Sequence, residues 1–440
     1  MVFILPKSPI GKLDIKKEHF PKDYRLALLI IVYVATSLLV SSHGGRVRVL
    51  GDGSSIFSVL DYGAVGDGKQ DDTQAFSKAW TNVCNAIGNT PTLVVPQGKT
   101  FLLNSIKFKG PCKSPDIHFQ IEGDIVAHND ISEWENCEDN TWIYFAYIDN
   151  LFVQGQGSID GRGSIWWKNA PLLTNRDTHA TINEETNSCN RPTALRFLRC
   201  YGLQVRGTTH KNSPGNHITL AGTNNSTISN INIFAPKDSP NTDGIDISST
   251  NHLNILNSVI ETGDDCIAIG SNTTWINIAN VTCGPGHGIS VGSLGEDGAQ
   301  AKVEEIHVSN CTFNNTSNGA RIKTWQGGSG YARKITYDNI ILIDAKNPII
   351  IDQYYCNGDK NCKTQASAVA ITDVKFSEFR GTSASEAAIT LNCSQVSPCN
   401  TIVMETIDIT TSDRTKILTS KCENAHPLQN SVVPLVHCAK

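Results

Sequence analysis

The sequence predicts an all-β chain wound as a right-handed parallel β-helix, a solenoid with a short N-terminal capping helix. Two sets of repeating strands and the lack of amphipathic helices between them lead there. An apolar-x-apolar-x-Asn pattern occurs at Leu253-Ile255-Asn257, Ile276-Ile278-Asn280, Ile306-Val308-Asn310 and Ile335-Tyr337-Asn339, with 23, 30 and 29 residues between successive Asn positions. A second set of alternating runs, Ile245-Ile247, Ile267-Ile269 and Ile289-Val291, repeats every 22 residues. Strict alternation over four or five residues marks strands with one buried face. Two strands per 22–30 residues describe stacked coils, whereas a propeller needs a longer four-strand repeat and a sandwich shows no fixed period. The Asn positions suit a ladder, because each side-chain amide can bond to the coils above and below.

The segment Asp71 to Cys84 is the best helix candidate. Asp71-Asp72-Thr73 offers N-capping groups, and Ala75, Phe76, Ala79, Trp80 and Val83 share one face. Such a helix closes the N-terminal end of a solenoid, as terminal repeats must. The chain of 440 residues is 39% hydrophobic and 18% charged, which supports a core and excludes a disordered or coiled-coil protein. Residues 1–45 read as a targeting segment: Lys7, Lys12, Lys16, Lys17, Lys22 and Arg25 precede an apolar run from Leu26 to Val40, then Ser41-Ser42-His43-Gly44-Gly45. Either a cleaved secretory signal or a retained anchor fits, and cleavage is favoured because a stable span needs about 20 apolar residues. Residues 46–440 then form a single parallel β-helix domain, secreted, with no stable membrane association.

Cleavage removes six positive and three negative charges and takes the net charge from −5 to −8. Nucleic acid is therefore a poor partner. The 14 cysteines lack a paired zinc pattern, so disulfides are expected in an oxidising compartment. Close pairs are Cys266 with Cys283, Cys356 with Cys362, Cys393 with Cys399 and Cys422 with Cys438, although spacing does not fix connectivity. Sequons at Asn225, Asn272, Asn280, Asn310, Asn315 and Asn392 fit an extracellular glycoprotein.

The 22-residue period assembles a site. Asp243, Asp265 and His287 each lie two residues before an aligned Ile, so stacking brings them above one another at roughly 5 Å per coil. Asp264 adjoins Asp265. Clustered carboxylates are what glycoside hydrolysis requires: one protonated to release the leaving oxygen, another ionised to activate water. His287, between two glycines, orients or tunes them. Arg321 and Lys323 alternate around Ile322 and supply local positive charge for an acidic sugar, and Tyr354 or Tyr355 offers a ring for sugar contact. Calcium is the competing use of an aspartate cluster, but the interleaved His and cations argue against it.

Four segments carry a family resemblance: Ser239-Pro240-Asn241-Thr242-Asp243-Gly244, Gly263-Asp264-Asp265-Cys266, Gly286-His287-Gly288 and Arg321-Ile322-Lys323. In this order they closely resemble the signatures of polygalacturonases, the family 28 glycoside hydrolases, from about Tyr62 to Cys399. The segments 191–197, 212–214 and 347–353 resemble the plant branch. The resemblance implies hydrolysis of α-1,4-linked galacturonan in cell-wall pectin with inversion, with endo action favoured; no metal or cofactor is expected, and a solenoid with capped ends is by default a monomer. It gives Asp264 the general-acid role and Asp243 with Asp265 the water, His287 the support of the acid, and Arg321, Lys323, Tyr355 and Asn241 substrate contacts. It also implies that a Cys266–Cys283 bridge ties the acid-bearing loop to the His segment. Asp246 departs from the plant pattern, where His often follows Asp-Gly-Ile. Exo-acting polygalacturonases, hydrolases of rhamnogalacturonan or xylogalacturonan, a calcium-dependent pectate lyase and a non-catalytic pectin-binding wall protein are the alternatives.

Overall fold

The computed structural model describes residues 48–49 and 55–438, except 89, 135–136, 169–188, 358–363 and 414. The proposed targeting segment, 1–45, lies outside the described residues. Among them no helix is long and apolar enough to cross a membrane.

The strands stack as a parallel β-helix of the right-handed kind. An eleven-stranded sheet starts at Ile106–Lys109, Thr141–Ala146, Thr193–Leu198 and Ile218–Ala221. It continues through β1 (Ile245–Ser248), β2 (Ile267–Ile269), β3 (Ile289–Leu294), β4 (Asn318–Trp325) and β5 (Asn347–Tyr355). Ala387–Asn392 and Thr419–Glu423 complete it. The predicted register holds: Ile245 pairs with Ile267, and Ile267 with Ile289. The second set aligns as well, with Ile255 on Ile278, Ile278 on Val308 and Val308 on Tyr337.

Each complete coil holds three strands, not the two read from the sequence. The third is a short ladder through Asn232–Phe234, Val259–Glu261 and Thr282–Cys283. Two or three residues are too few to show alternation. Further on, the two ladders of this side merge into long strands such as Gln300–Asn314 and Ser329–Ala345.

Alternation buries one residue in two. Ile245, Ile247, Ile267, Ile269, Ile289, Val291, Ile322 and Ile351 are all at most 2% exposed and pile into an internal column. Burial of each contributes about 1.5–3 kcal/mol relative to exposure. Aromatic rings stack along the same interior, Phe145 on Phe197 at 5.4 Å and Tyr337 on Phe376 at 5.8 Å. At the corners Asn257, Asn280, Asn310 and Asn339 all adopt positive φ, between 48° and 57°, which Asn tolerates best after Gly. Asn280 donates to Asn257 at 2.9 Å and Asn339 to Asn310 at 2.6 Å, so the ladder forms two of its rungs.

Helix α1 (Thr73–Asn85) buries Ala75, Phe76, Ala79, Trp80 and Val83 against the N-terminal coils. Its capping differs from a simple Asp cap. Asp71 accepts from the Thr73 N–H, while the buried Asp72 accepts from the Val65 and Gly66 N–H groups and ties the helix start to the preceding turn.

Disulfides join Cys84–Cys112, Cys137–Cys189, Cys266–Cys283, Cys393–Cys399 and Cys422–Cys438. Cys356 is also disulfide-bonded, and Cys362 lies outside the described residues. Among the described residues Cys200 and Cys311 are free thiols. Both are inside the coil, where burial pushes each thiol up to about 11 and leaves it an apolar core residue.

Candidate active site

The site forms on the outward face of β1 to β5 and on the turns that lead into them. Those turns run close together. A Cβ at Gly263 would sit 1.9 Å from the Ser239 carbonyl oxygen, and one at Gly288 2.4 Å from the carbonyl oxygens of Asn318 and Gly319. Gly288 also has φ +89°. The glycines around the aspartates and His287 thus let successive coils approach, besides leaving the imidazole room.

Asp265 is fully buried and satisfied on both oxygens. Oδ1 accepts from Ser290 Oγ at 2.9 Å and from the Arg321 guanidinium; Oδ2 accepts from Lys323 Nζ at 2.8 Å. Arg321 Nε donates to Ser290 Oγ at 2.8 Å, which closes the network. Lys323 is 8% exposed, and although burial works against its charge, Asp265 keeps its pKa above the ordinary value. Its ammonium also lies 5.2 Å from the centre of the Tyr355 ring, which packs edge-on against Trp325. Tyr354 lies apart, its hydroxyl accepting from the Gln395 N–H.

Asp264 points elsewhere. Its Oδ1 lies 2.8 Å from His287 Nδ1 and accepts from the Asp265 N–H at 2.8 Å, and the His287 N–H donates to the Asp264 carbonyl at 2.7 Å. Burial raises the Asp264 pKa, but the hydrogen bond and charge of His287, the charge of Lys323 and the Asp265 N–H outweigh it. Asp264 therefore lies below the usual carboxylate range. The Cys266–Cys283 bridge follows directly on Asp265 and spans to the strand before His287.

On the previous coil Asp243 is held well above the ordinary range, first by burial, then by the negative charges of Asp246, Asp264 and Asp265, with Lys323 opposing. Its backbone carbonyl accepts from the His217 N–H at 2.8 Å, and the His217 ring lies 3.1 Å from the same oxygen. His217 is buried and its pKa falls to about 4, so the ring is neutral at ordinary pH and serves to seat the Asp243 turn. Asn241 is exposed, with its Oδ1 3.2 Å from Arg191 Nη1.

The structure thus brings Asp264, Asp265 and His287 into one cluster, with Asp243 coupled to it, Arg321 and Lys323 on one side and Asn241 on the other. The column is not uniform, because the adjacent Asp264 and Asp265 take opposite partners. Ser290, Arg191, His217 and Asn216 also take part; Ser290 falls on the 22-residue period, the other three carried no periodic signal in the sequence, and each meets its partner 25 to 50 residues away.

Asp264, Asp265 and His287 place donor atoms within 4.8 Å of one another, close enough for a cation. The donor set does not suit one. Asp265 has both oxygens taken by Arg321, Lys323 and Ser290, and two fixed positive charges stand beside it. Clustered carboxylates, with Asp243 raised and Asp264 lowered, beside an imidazole and paired cations instead suit hydrolysis of an acidic glycan.

That class agrees with the comparisons. The model of glycosyl hydrolases family 28 matches residues 84–434, and the chain belongs to this family. A probable polygalacturonase of Arabidopsis thaliana is 45% identical over 389 residues, 88% of this chain and 81% of the relative. A polygalacturonase of Malus domestica is 44% identical over 377 residues, 86% and 78% of the two chains. Among solved structures, endo-xylogalacturonan hydrolase from Aspergillus tubingensis superposes with a TM-score of 0.70 at 24% identity, covering 87% of this chain and 98% of that one; at that identity it speaks for the fold.

Proposed function

We propose that the protein is a secreted polygalacturonase that hydrolyses α-1,4-galacturonosidic bonds of pectin in the cell wall with inversion. The carrying observation is the opposition of Asp264, held by His287, to a buried Asp265 that holds Arg321 and Lys323 in place. Asp264 is the general acid, and Asp243 with Asp265 positions the water. Arg321 and Lys323 take a galacturonate carboxylate, Tyr355 packs beside it and Asn241 lines the opposite side. His287 does most to hold Asp264 down and Lys323 adds to it; a carboxylate bound at Lys323 neutralises that second part, and burial then pushes Asp264 towards the protonated form a donor needs. Until then the raised Asp243 is the better proton holder of the pair, so the two aspartates titrate as one coupled system. Endo action is favoured over exo action, with residues 1–45 directing export of one catalytic domain that works as a monomer.

The test is digestion of de-esterified polygalacturonate by the secreted protein in chelator, with products sized and checked for unsaturation. Saturated oligomers of mixed length are expected, and the Asp264→Asn variant is expected to lose about 10²–10⁴-fold in kcat. Unsaturated products, or an Asp264→Asn enzyme as fast as wild type, overturn the assignment.

A further inference from the structure

One outward row of the eleven-stranded sheet runs Arg196, Thr219, Asp246, Ala268, Ser290, Arg321, one residue per coil. Its far end, Ser290 and Arg321, belongs to the Asp265 network. Asp246 lies on the other side of the gap left by Ala268, level with Asp243 on its own coil. A glycan lying along this row meets a new coil about every 4.8 Å.

Two neighbouring atoms in the row lack partners among the described residues. Asp246 Oδ2 accepts from Asn216 Nδ2, but Asp246 Oδ1 is buried with no hydrogen bond, and so is the Thr219 hydroxyl on the adjoining coil. Buried polar groups are nearly always satisfied, so two adjacent orphans on a site face call for an outside partner. Asn216 also lines a polar cavity of about 290 Å³ together with Asn140, Asn190, Arg191, Thr193 and Asn241. The Arg191 guanidinium bonds Asn241 and the Pro240 carbonyl, and it feels the charges of Asp243 and Asp264. Hydrogen-bonding groups, one cation and few apolar atoms suit a hydrated acidic sugar.

We propose that Asp246 and Thr219 form the floor of a sugar subsite on the side of the catalytic aspartates away from Arg321 and Lys323, binding one residue of the substrate through Asp246 Oδ1 and the Thr219 hydroxyl. The inference rests on the polygalacturonase reading and adds the specificity-determining groups of a second subsite. The charged groups facing Asp246 are Asp243 on its own segment, Asp264 and Asp265 on the next coil and Lys323 beyond; the coil before it presents the neutral Asn216 and Thr219. Burial, then Asp265, with Lys323 opposing and Asp264 adding, raise the carboxyl to about 7. Below that pH Asp246 donates a hydrogen bond to the sugar. Above it, the carboxylate repels a polyanion and loses the donor.

Steady-state kinetics on oligogalacturonates of defined length, from pH 5 to 8, test this with the secreted wild type, Asp246→Asn, Asp246→Ala and Thr219→Val. Loss of one hydrogen bond predicts a KM about three- to ten-fold higher for Asp246→Ala and Thr219→Val, with kcat far less affected. Wild-type KM is expected to climb as pH passes about 7, whereas Asp246→Asn, which keeps a donor and cannot ionise, gives a KM flat across the range. A wild-type KM in Asp246→Ala at every chain length, a loss confined to kcat, or a pH-dependent KM in Asp246→Asn overturns the subsite. If wild type turns over no galacturonan at all, the underlying reading has failed instead. Calorimetric titration of oligogalacturonate into wild type and Asp246→Ala then judges the subsite separately: equal affinity, or none, refutes it.

Discussion

Replacing Asp265 by Asn isolates what the buried charge network contributes. In the folded chain the Asp265 carboxylate is buried and compensates two cations, whose side chains are only 13% and 10% exposed for Arg321 and Lys323. Asn preserves shape and one acceptor, towards Ser290 and Arg321, but turns an amide N–H group towards Lys323 Nζ. A buried cation then loses its counter-charge, a change that costs about 3–5 kcal/mol. With an unfolding entropy of about 2.1 cal/mol/K per residue over the roughly 350 described residues, that lowers Tm by about 4–7 °C if the solenoid melts as one unit. Calorimetry at pH 7 is the assay. The double variant Asp265→Asn/Lys323→Met removes the orphaned charge as well, so it is expected to regain most of the lost stability while remaining inactive. An Asp265→Asn protein that melts with wild type, or a double variant less stable than the single, refutes the claim that Asp265 is the counter-charge of Lys323.

Two further predictions follow from groups the chemistry does not consume. A carboxyl raised in the folded state binds protons that the unfolded chain has released, so Asp246, at about 7 against an ordinary 3.8, makes stability fall as pH rises from about 4 to about 7; melting curves of wild type should show that decline and Asp246→Asn a shallower one, and parallel curves would contradict it. Of the sequons named above, Asn280, Asn310, Asn315 and Asn392 have side chains engaged in hydrogen bonds, whereas Asn225 and Asn272 are exposed and make no side-chain hydrogen bond among the described residues. Glycopeptide mass spectrometry of the protein from a secreting eukaryotic host should therefore find glycan chiefly at Asn225 and Asn272, and full occupancy of Asn392 with an empty Asn272 would refute the argument.

Much of the architecture was legible because a solenoid writes its coil length into the spacing of its buried residues. Ile245, Ile267 and Ile289 needed only a period and a face to be aligned, and the Asn corners needed only their tolerance of positive φ. The third strand of each coil escaped because Val259–Glu261 and its neighbours are too short for a pattern. Cys200 and Cys311 escaped because composition counts thiols without placing them. At the site, the period located the column of Asp243, Asp265 and His287 but not the direction of each side chain. That direction is set where a turn becomes a strand: Asp265 swings under Arg321 and Lys323, and Asp264, one residue earlier, stays on the turn beside His287.

The same junction explains how one short run of sequence holds two carboxylates in opposite electrostatic roles. Asp265 is deep enough for its charge to be fixed by two cations from β4, and those cations are thereby presented in a set geometry to whatever acidic group lies above them. Asp264 is shallow enough to exchange partners: a histidine and one backbone N–H group bond its carboxylate, and the charge of Lys323 adds to their hold. Asp243 and Asp246, a coil away, are driven towards the proton-bearing form by burial first and then by the negative field of both. Coil stacking sets the spacing that makes these fields strong, since each coil step is about 4.8 Å and water has little room between steps. A proton can then move within the cluster as substrate charge arrives, while the buried Asp265 network keeps the geometry unchanged.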